Sequence, residues 1–167
     1  MQDNQKKYCL DTNFFIEAWN KYYSPEFCSS YWNIIDDLAK KGIVFIPQEV
    51  KKEIDKGDDN LKNWLKDKKY FVKPITEKVQ LCLKKIYNQN PNHKYLSNNV
   101  KNRSIADPWV IVHAMAEKAT VVTKEYLSNS SNPQKIKIPD VCENMNVPWI
   151  DDFDFIKEVN IKFNCKI

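Results

Sequence analysis

Short apolar runs alternate with amphipathic segments along the chain, and this alternation constrains the fold more than any other feature. An apolar run over residues 6–10 precedes helical patterns over 13–20 and 26–41, and a run over 43–46 precedes a helical pattern over 48–56. The same reasoning predicts helices over 59–67, 76–88, 105–119, 140–146 and 152–159, and strands over 70–72, 120–123, 135–138 and 147–150. Strands that alternate with helices form a mostly parallel sheet covered on both faces. We therefore predict an α/β fold with three α/β/α layers, a mostly parallel sheet of about four to five strands, and a single domain over residues 1–167.

The composition excludes several classes of protein. Only 2 glycines are present, Gly42 and Gly57, which rules out a glycine-rich phosphate-binding loop. The 5 cysteines are scattered and never spaced CxxC, so we predict no disulfide framework or structural zinc site, and expect reduced thiols in a cytoplasmic protein. No signal peptide is predicted, and no apolar run approaches the ~20 residues of a membrane span. The net charge of +4 is compatible with a nucleic-acid partner.

Asp11 lies directly after the first strand pattern and before a helical pattern. Ligands of open α/β sheets bind outside the carboxyl ends of the strands, which is where this carboxylate is predicted to lie. Without a glycine-rich loop, an acid at that edge favours a metal ion over a nucleotide. The alternative is that Asp11 only caps the helix, because Asp and Thr both favour that position.

A second acid, Glu53, follows another predicted strand. At about 100° per residue, Glu53 lies roughly 80° from the centre of the apolar stripe formed by Val50 and Ile54, so it can face a cleft. Glu49 is instead expected to be a first-turn acid favoured by the helix dipole. We therefore select Glu53 as the candidate site residue.

Asp107 and Glu125 occupy comparable positions. Asp107 precedes Pro108 at the start of a wholly apolar helix, and an acid before proline is also an ordinary helix start. A helix without a polar face is buried, however, so an ionised acid at its first turn needs a partner. Glu125 comes two residues after the strand pattern over 120–123, at another carboxyl end.

These four acids together predict a divalent metal site. Carboxylates gathered in a partly dry cleft repel one another unless cations neutralise them. Hard oxygen ligands without His or Cys select Mg²⁺ or Mn²⁺ over zinc. Such a site supports displacement at phosphorus by a metal-activated water.

Four short motifs occur in a fixed order: Cys9-Leu10-Asp11-Thr12-Asn13, the helix that follows Pro47 and contains Glu53-Ile54, Ala106-Asp107-Pro108 with Ala114, and Val121-Val122-Thr123-Lys124-Glu125. Their order resembles that of the acidic motifs of PIN-domain nucleases. The stretch over 135–142 is similar to the tail of a poorly characterised bacterial PIN-like family, often found as the toxin of toxin–antitoxin pairs. The likeness covers roughly residues 8–155.

The resemblance implies a metal-dependent endoribonuclease. Its catalytic and metal-binding residues would be Asp11, Glu53, Asp107 and Glu125, which would hold one or two Mg²⁺ or Mn²⁺ ions. Most relatives have Thr-x-Asp where this chain has Thr123-Lys124-Glu125, and a longer acid can reach a metal through water. Possible supporting residues are Asn13, Thr123, Asp140 and Asp152.

The resemblance also implies an RNA substrate and a cognate antitoxin that covers the acidic cleft, and a homodimer is compatible with such a fold. Basic residues predicted to track phosphates are Lys51, Lys52, Lys56, Lys66, Lys68, Lys69, Lys101 and Arg103. His113 is predicted to be a packed, hydrogen-bonded core residue, and His93 to lie in an exposed loop with a helical turn over 88–103. The alternative function is a catalytically inactive PIN-like module that binds RNA or protein, for which Glu125 is the main support.

Overall fold

The computed structural model describes residues 5–57, 59–97 and 104–165. Its centre is a five-stranded, entirely parallel sheet with the strand order β3-β2-β1-β4-β5. The strands are β1 (Tyr8–Leu10), β2 (Val44–Pro47), β3 (Val72–Lys73), β4 (Thr120–Val122) and β5 (Trp149–Ile150). The predicted α/β fold with a parallel sheet and flanking helices is therefore confirmed.

Eight helices connect or follow the strands in the described ranges. They are α1 (Thr12–Glu17), α2 (Pro25–Lys40), α3 (Gln48–Lys56), α4 (Asp59–Leu65), α5 (Glu77–Gln89), α6 (Asp107–Glu117), α7 (Ile138–Met145) and α8 (Asp152–Glu158). A π-helical turn, Ala18–Tyr22, extends α1. Shorter 3₁₀ turns cover Lys69–Phe71, Pro91–Ser97 and Pro133–Lys135. No helix in the described ranges has both the length and the apolar character needed to cross a bilayer.

The helix ends follow from local sequence. The Ser24 hydroxyl accepts from the backbone N–H of Glu26 and caps α2, with Pro25 in the first turn. After α2, Gly42 has φ +70°, the left-handed conformation in which glycine has no steric penalty. This turn lets the chain pass directly from α2 into β2.

Helix α6 is the buried centre of the helical layer, as its apolar sequence predicts. Val110, Ile111 and Val112 are fully buried, and the helix contacts β1, β2 and β4. Burying such side chains stabilises the fold by about 1.5–3 kcal/mol each. Their packing fixes the position of the first residue of α6, Asp107.

The predicted strand over 135–138 is wrong. Ile136 and Lys137 have extended backbone angles, but they pair with no strand in the described part of the chain, and α7 begins at Ile138. The alternating pattern arises because Ile138 is fully buried and Ile136 packs against the core, while Lys137 faces solvent. Pro133 and Pro139 stand in the first turns of the 3₁₀ segment and of α7, where proline is tolerated because the backbone N–H groups have no partner within the helix.

Of the predicted exposed loop with a helical turn over 88–103, the helical turn is confirmed, but the expected exposure of His93 is wrong. The 3₁₀ segment Pro91–Ser97 buries His93 and Leu96 completely or nearly so. Residues 98–103, including the candidates Lys101 and Arg103, lie outside the described residues. Of the predicted strand over 70–72, only Val72 is in β3.

Candidate active site

One cleft of about 410 Å³ is lined by all four predicted acids. Asp11 follows β1, Glu53 lies on α3, Asp107 opens α6, and Glu125 follows β4. These elements deliver them to the same edge because the strands are parallel and end on one side of the sheet. The remaining lining residues are Thr12, Asn13, Ile16, Glu17, Ser104, Ile136 and Lys137.

Asp11 both caps α1 and faces the cleft, so the two predicted roles coexist. Its backbone N–H donates to the carbonyl of Val122 (3.0 Å), which ties it to β4. One carboxylate oxygen accepts from the backbone N–H of Thr12 (2.6 Å), and the other accepts from the hydroxyl of Thr123 (2.9 Å). Only 2% of the residue is exposed.

Glu53 faces the cleft from α3 and is held by three donors. Its Oε2 accepts from the Thr12 hydroxyl at 2.7 Å, and its Oε1 accepts from the Ser104 hydroxyl at 2.5 Å and the Ala106 N–H at 3.2 Å. These contacts join α1, α3 and the start of α6 at one carboxylate. Glu49, one helical turn earlier, instead pairs with Lys52 at 2.8 Å and lies outside the cleft lining.

Asp107 and Glu125 complete the acidic lining. Asp107 is 8% exposed and is the first residue of α6, with Ala106 at the N-cap position. Glu125 is partly buried, and its Oε2 accepts from the N–H of Ile138 at the start of α7 (2.9 Å). The longer Glu side chain therefore has one oxygen engaged by the protein backbone.

Burial and neighbouring carboxylates both disfavour the charged forms of two of these acids. Burial raises the pKa of Asp11 to about 7, with a further contribution from Glu125, although the hydrogen bonds from Thr123 and Thr12 oppose the rise. Burial also raises the pKa of Asp107 to about 9, with further contributions from Asp11 and Glu125. Both effects favour the protonated forms of Asp11 and Asp107 over what is usual for an exposed aspartate.

No lysine or arginine within the described ranges forms an ion pair with any of the four acids. The neighbouring cation Lys124 is engaged elsewhere, with Glu17 at 3.2 Å and Asp152 at 3.0 Å. It also lies 4.3 Å from the ring centroid of Tyr22. Lys124 therefore compensates the lining residue Glu17, and Lys137 also lines the cleft, but the charges of Asp11, Glu53, Asp107 and Glu125 have no ion-pair partner among these lysines.

The donor set fits Mg²⁺ or Mn²⁺ in its chemistry, because the cleft lining offers carboxylate, hydroxyl and amide oxygens and no imidazole or thiol. Burial is the main cause of the two raised pKa values, and a bound divalent cation would relieve the further contribution from repulsion between the acids. Within the described part of the chain, no three His, Cys, Asp or Glu side chains form a ready-made group that could hold an ion. The carboxylates instead accept hydrogen bonds from hydroxyl and amide groups, as described for Asp11 and Glu53.

Thr123 and Asn13 form a polar network behind Asp11. The fully buried Thr123 hydroxyl donates to Asp11 and accepts from the N–H of Glu125 (3.2 Å) and from Asn13 Nδ2 (3.4 Å). Asn13 Oδ1 accepts from the N–H of Lys124 at 3.0 Å. Both residues, selected from sequence as possible support, thus contact the acidic residues or their immediate neighbours.

The two other candidate acids lie outside the cleft lining. Asp140 caps α7, accepting from the N–H of Lys137 (2.8 Å) and of Ser128 (3.1 Å). Asp152 is 4% exposed and pairs with Lys124. The sequence analysis did not select Ser104, Thr12 or Glu17 as residues of the cleft. For Ser104, the one signal in the sequence is its position shortly before Ala106-Asp107-Pro108.

The histidines and lysines differ from expectation. His113 is fully buried as predicted, but both ring nitrogens lack a hydrogen-bond partner, so the predicted hydrogen bonding is wrong for the described residues. Among the lysines predicted to follow phosphates, four line a separate cavity of about 230 Å³ and not the acidic cleft: Lys51, Lys66, Lys68 and Lys69.

Two solved structures share this architecture. The crystal structure of VapBC2 from Rickettsia felis bound to a DNA fragment from their promoter matches at 21% identity and a TM-score of 0.50, over 86% of this chain and 97% of that chain. The crystal structure of FitAcB from Neisseria gonorrhoeae matches at 16% identity and a TM-score of 0.51, over 86% of this chain and 96% of that chain.

The sheet order, the flanking helices and these matches define the class of fold as PIN-like, which confirms the prediction from sequence. The chain belongs to the family described as "Domain of unknown function (DUF4411)", whose model matches residues 8–163. No curated protein matches the sequence.

Proposed function

We propose that this protein is a divalent-metal-dependent endoribonuclease and the toxin of a toxin–antitoxin pair. The observation that carries the proposal is the cleft into which four separate segments bring Asp11, Glu53, Asp107 and Glu125. Burial, with a further contribution from the neighbouring carboxylates, raises the pKa of Asp11 and Asp107, which is costly in a structural cluster and useful in a metal site. The RNA substrate and the antitoxin partner rest on the resemblance to toxin-type PIN nucleases.

Asp11, Glu53, Asp107 and Glu125 would hold one or two Mg²⁺ or Mn²⁺ ions. A bound ion would neutralise charge at the scissile phosphate and activate a water for hydrolysis. The protein's own contribution is orientation. Thr123 fixes one oxygen of Asp11, while Thr12 and Ser104 fix the two oxygens of Glu53.

The alternative is a PIN-like module that binds RNA or protein without cleaving it. It is supported by Glu125, whose Oε2 is engaged by the N–H of Ile138, and by the lack of a ready-made metal group among the described residues. Calorimetric titration with Mn²⁺ separates the two functions, because an inert module should have no tight site.

The direct test is cleavage of single-stranded RNA by the purified protein with Mn²⁺. Wild-type protein should cleave, and Asp11→Asn and Asp107→Asn should each lose at least about 100-fold of the rate, as expected when a metal ligand or its close support is removed. Asp37→Asn is the matched control because Asp37 is an exposed acid on α2 whose nearest ion pair, with Lys40, is 3.7 Å long. Cleavage that survives both cleft substitutions would show that the site has been misplaced.

The toxin role has its own test. Expression of the wild-type chain should arrest bacterial growth, while Asp11→Asn should not. Co-expression of the protein encoded by the neighbouring reading frame should restore growth. Growth arrest of equal strength by both chains would contradict the link between toxicity and the acidic cleft.

A further inference from the structure

A second cavity, of about 390 Å³, adjoins the acidic cleft and shares Ile136 with it. Its walls come from α7, from the loop between β4 and α7, and from residues at the end of α5. Most of its polar lining is uncharged: Asn90, Asn92, Asn132, Asn144, Ser128 and Ser130. We call it the amide cavity.

Two of its asparagines are held through the amide oxygen. The Oδ1 of Asn90 accepts from the N–H of Asn92, and the Oδ1 of Asn132 accepts from the N–H of Gln134, both at 3.0 Å. Neither Nδ2 group has a partner among the described residues. Each of these side chains, one half-buried and one exposed, therefore has its oxygen engaged by the backbone and its Nδ2 donors available to a ligand.

Asn144 has the opposite arrangement. Its Nδ2 donates to Nε2 of His93 at 3.0 Å, while Nδ1–H of the same ring donates to the carbonyl of Ile86 at 2.8 Å. His93 is fully buried, and burial lowers its pKa, so the neutral ring keeps Nε2 as an acceptor. Asn144 Oδ1, which has no partner in the described part of the chain, is left as an acceptor of fixed orientation.

The charge of the lining excludes phosphate as the ligand. The charged residues are Asp140 and Glu143, and there is no Lys or Arg among the lining residues. Fixed amide donors and acceptors are instead the groups with which proteins contact the edges of unpaired bases. Leu127, Pro133 and Ile136 provide apolar surface for the face of a planar ring.

We propose that the amide cavity binds an unpaired nucleobase of the RNA strand, next to the phosphate held in the acidic cleft. The inference rests on the proposed function for its substrate, and it gives the enzyme a preference for one base beside the cut. Because Ile136 lines both cavities, they are neighbours, and a strand with a phosphate in the acidic cleft has an adjacent nucleotide near the amide cavity.

The test measures base preference in binding and in cleavage separately. Fluorescently labelled single-stranded oligomers of A, C, G or U are titrated with Ca²⁺ present, and the same oligomers are then incubated with Mn²⁺. Wild-type protein should prefer one base, and Asn144→Ala should reduce that preference at least about fivefold, as for loss of a base-edge contact. Asn33→Ala, at an exposed position of α2, should leave the preference unchanged.

Asn132→Ala provides a second variant, on a loop and independent of the His93 contact, in case Asn144→Ala does not fold. Equal binding of all four oligomers by the wild type overturns the inference. A preference that persists in both folded cavity variants does the same. A preference that requires the amides, without cleavage in Mn²⁺, supports the amide cavity and refutes the nuclease function.

Discussion

Replacing Asp107 by Asn should change how the stability of the metal-free protein depends on pH. Asp107 is 8% exposed and its pKa is raised to about 9, from an ordinary value of 3.8. Between those values the folded protein holds a proton that the unfolded chain has released, so stability falls as pH rises. The loss is about 1.4 kcal/mol per pH unit, on the order of 4 kcal/mol between pH 5 and pH 8.

Urea unfolding at pH 5 and pH 8, with a chelator present, measures this effect. The wild type should lose more free energy of unfolding between the two pH values than Asp107→Asn, by up to about 4 kcal/mol. Comparing each protein with itself cancels the cost of burying the Asn amide. Asp37→Asn should follow the wild type. If wild type and Asp107→Asn lose the same free energy, Asp107 is not an acid held protonated by burial and by its neighbours.

Further substitutions test the contacts around the cleft. Thr123→Val removes the hydroxyl that donates a hydrogen bond to Asp11, and a hydrogen bond to a charged group is worth about 1.5–3 kcal/mol. Calorimetry should therefore show at least tenfold weaker Mn²⁺ binding, and unchanged affinity would contradict this. Lys124→Met leaves the buried Asp152 unpaired and should lower the free energy of unfolding by about 3 kcal/mol, measured in urea at pH 7. His113→Leu removes two ring nitrogens that lack partners and should stabilise the protein by about 1 kcal/mol, and a loss of stability in the same assay would show that the ring is satisfied in solution.

Much of the fold could be predicted because it depends on local patterns. The apolar runs, the proline and glycine positions and the apolar sequence of α6 determine the strands, the helix ends and the buried helix. The stretch over 135–138 was mispredicted because alternation reports which side chains face the core, and an extended connector gives the same alternation as a strand. Pairing with a neighbour, which distinguishes the two, is not encoded locally.

The gathering of the acids could be predicted because Asp11 and Glu125 follow strands, Asp107 begins a helix, and parallel strands end on one side of a sheet. Glu53 could be added because of its angle from the apolar stripe of α3. The contacts that orient the acids could not. Ser104 reaches Glu53 across the fold, and His93 reaches Asn144 in the same way. Such contacts depend on the packing of distant segments, which no spacing in the sequence reports.

The strand order has a consequence for when the cleft can exist during synthesis. β1 lies between β2 and β4 in the sheet, and it is synthesised before both of them, so it cannot pair until they have been made. Glu125 follows β4 and is synthesised later still. A ribosome-bound chain that ends before β4 lacks both the hydroxyl that orients Asp11 and the fourth acid. The proposed metal site is therefore complete only after the chain has been made as far as Glu125, which is most of its length.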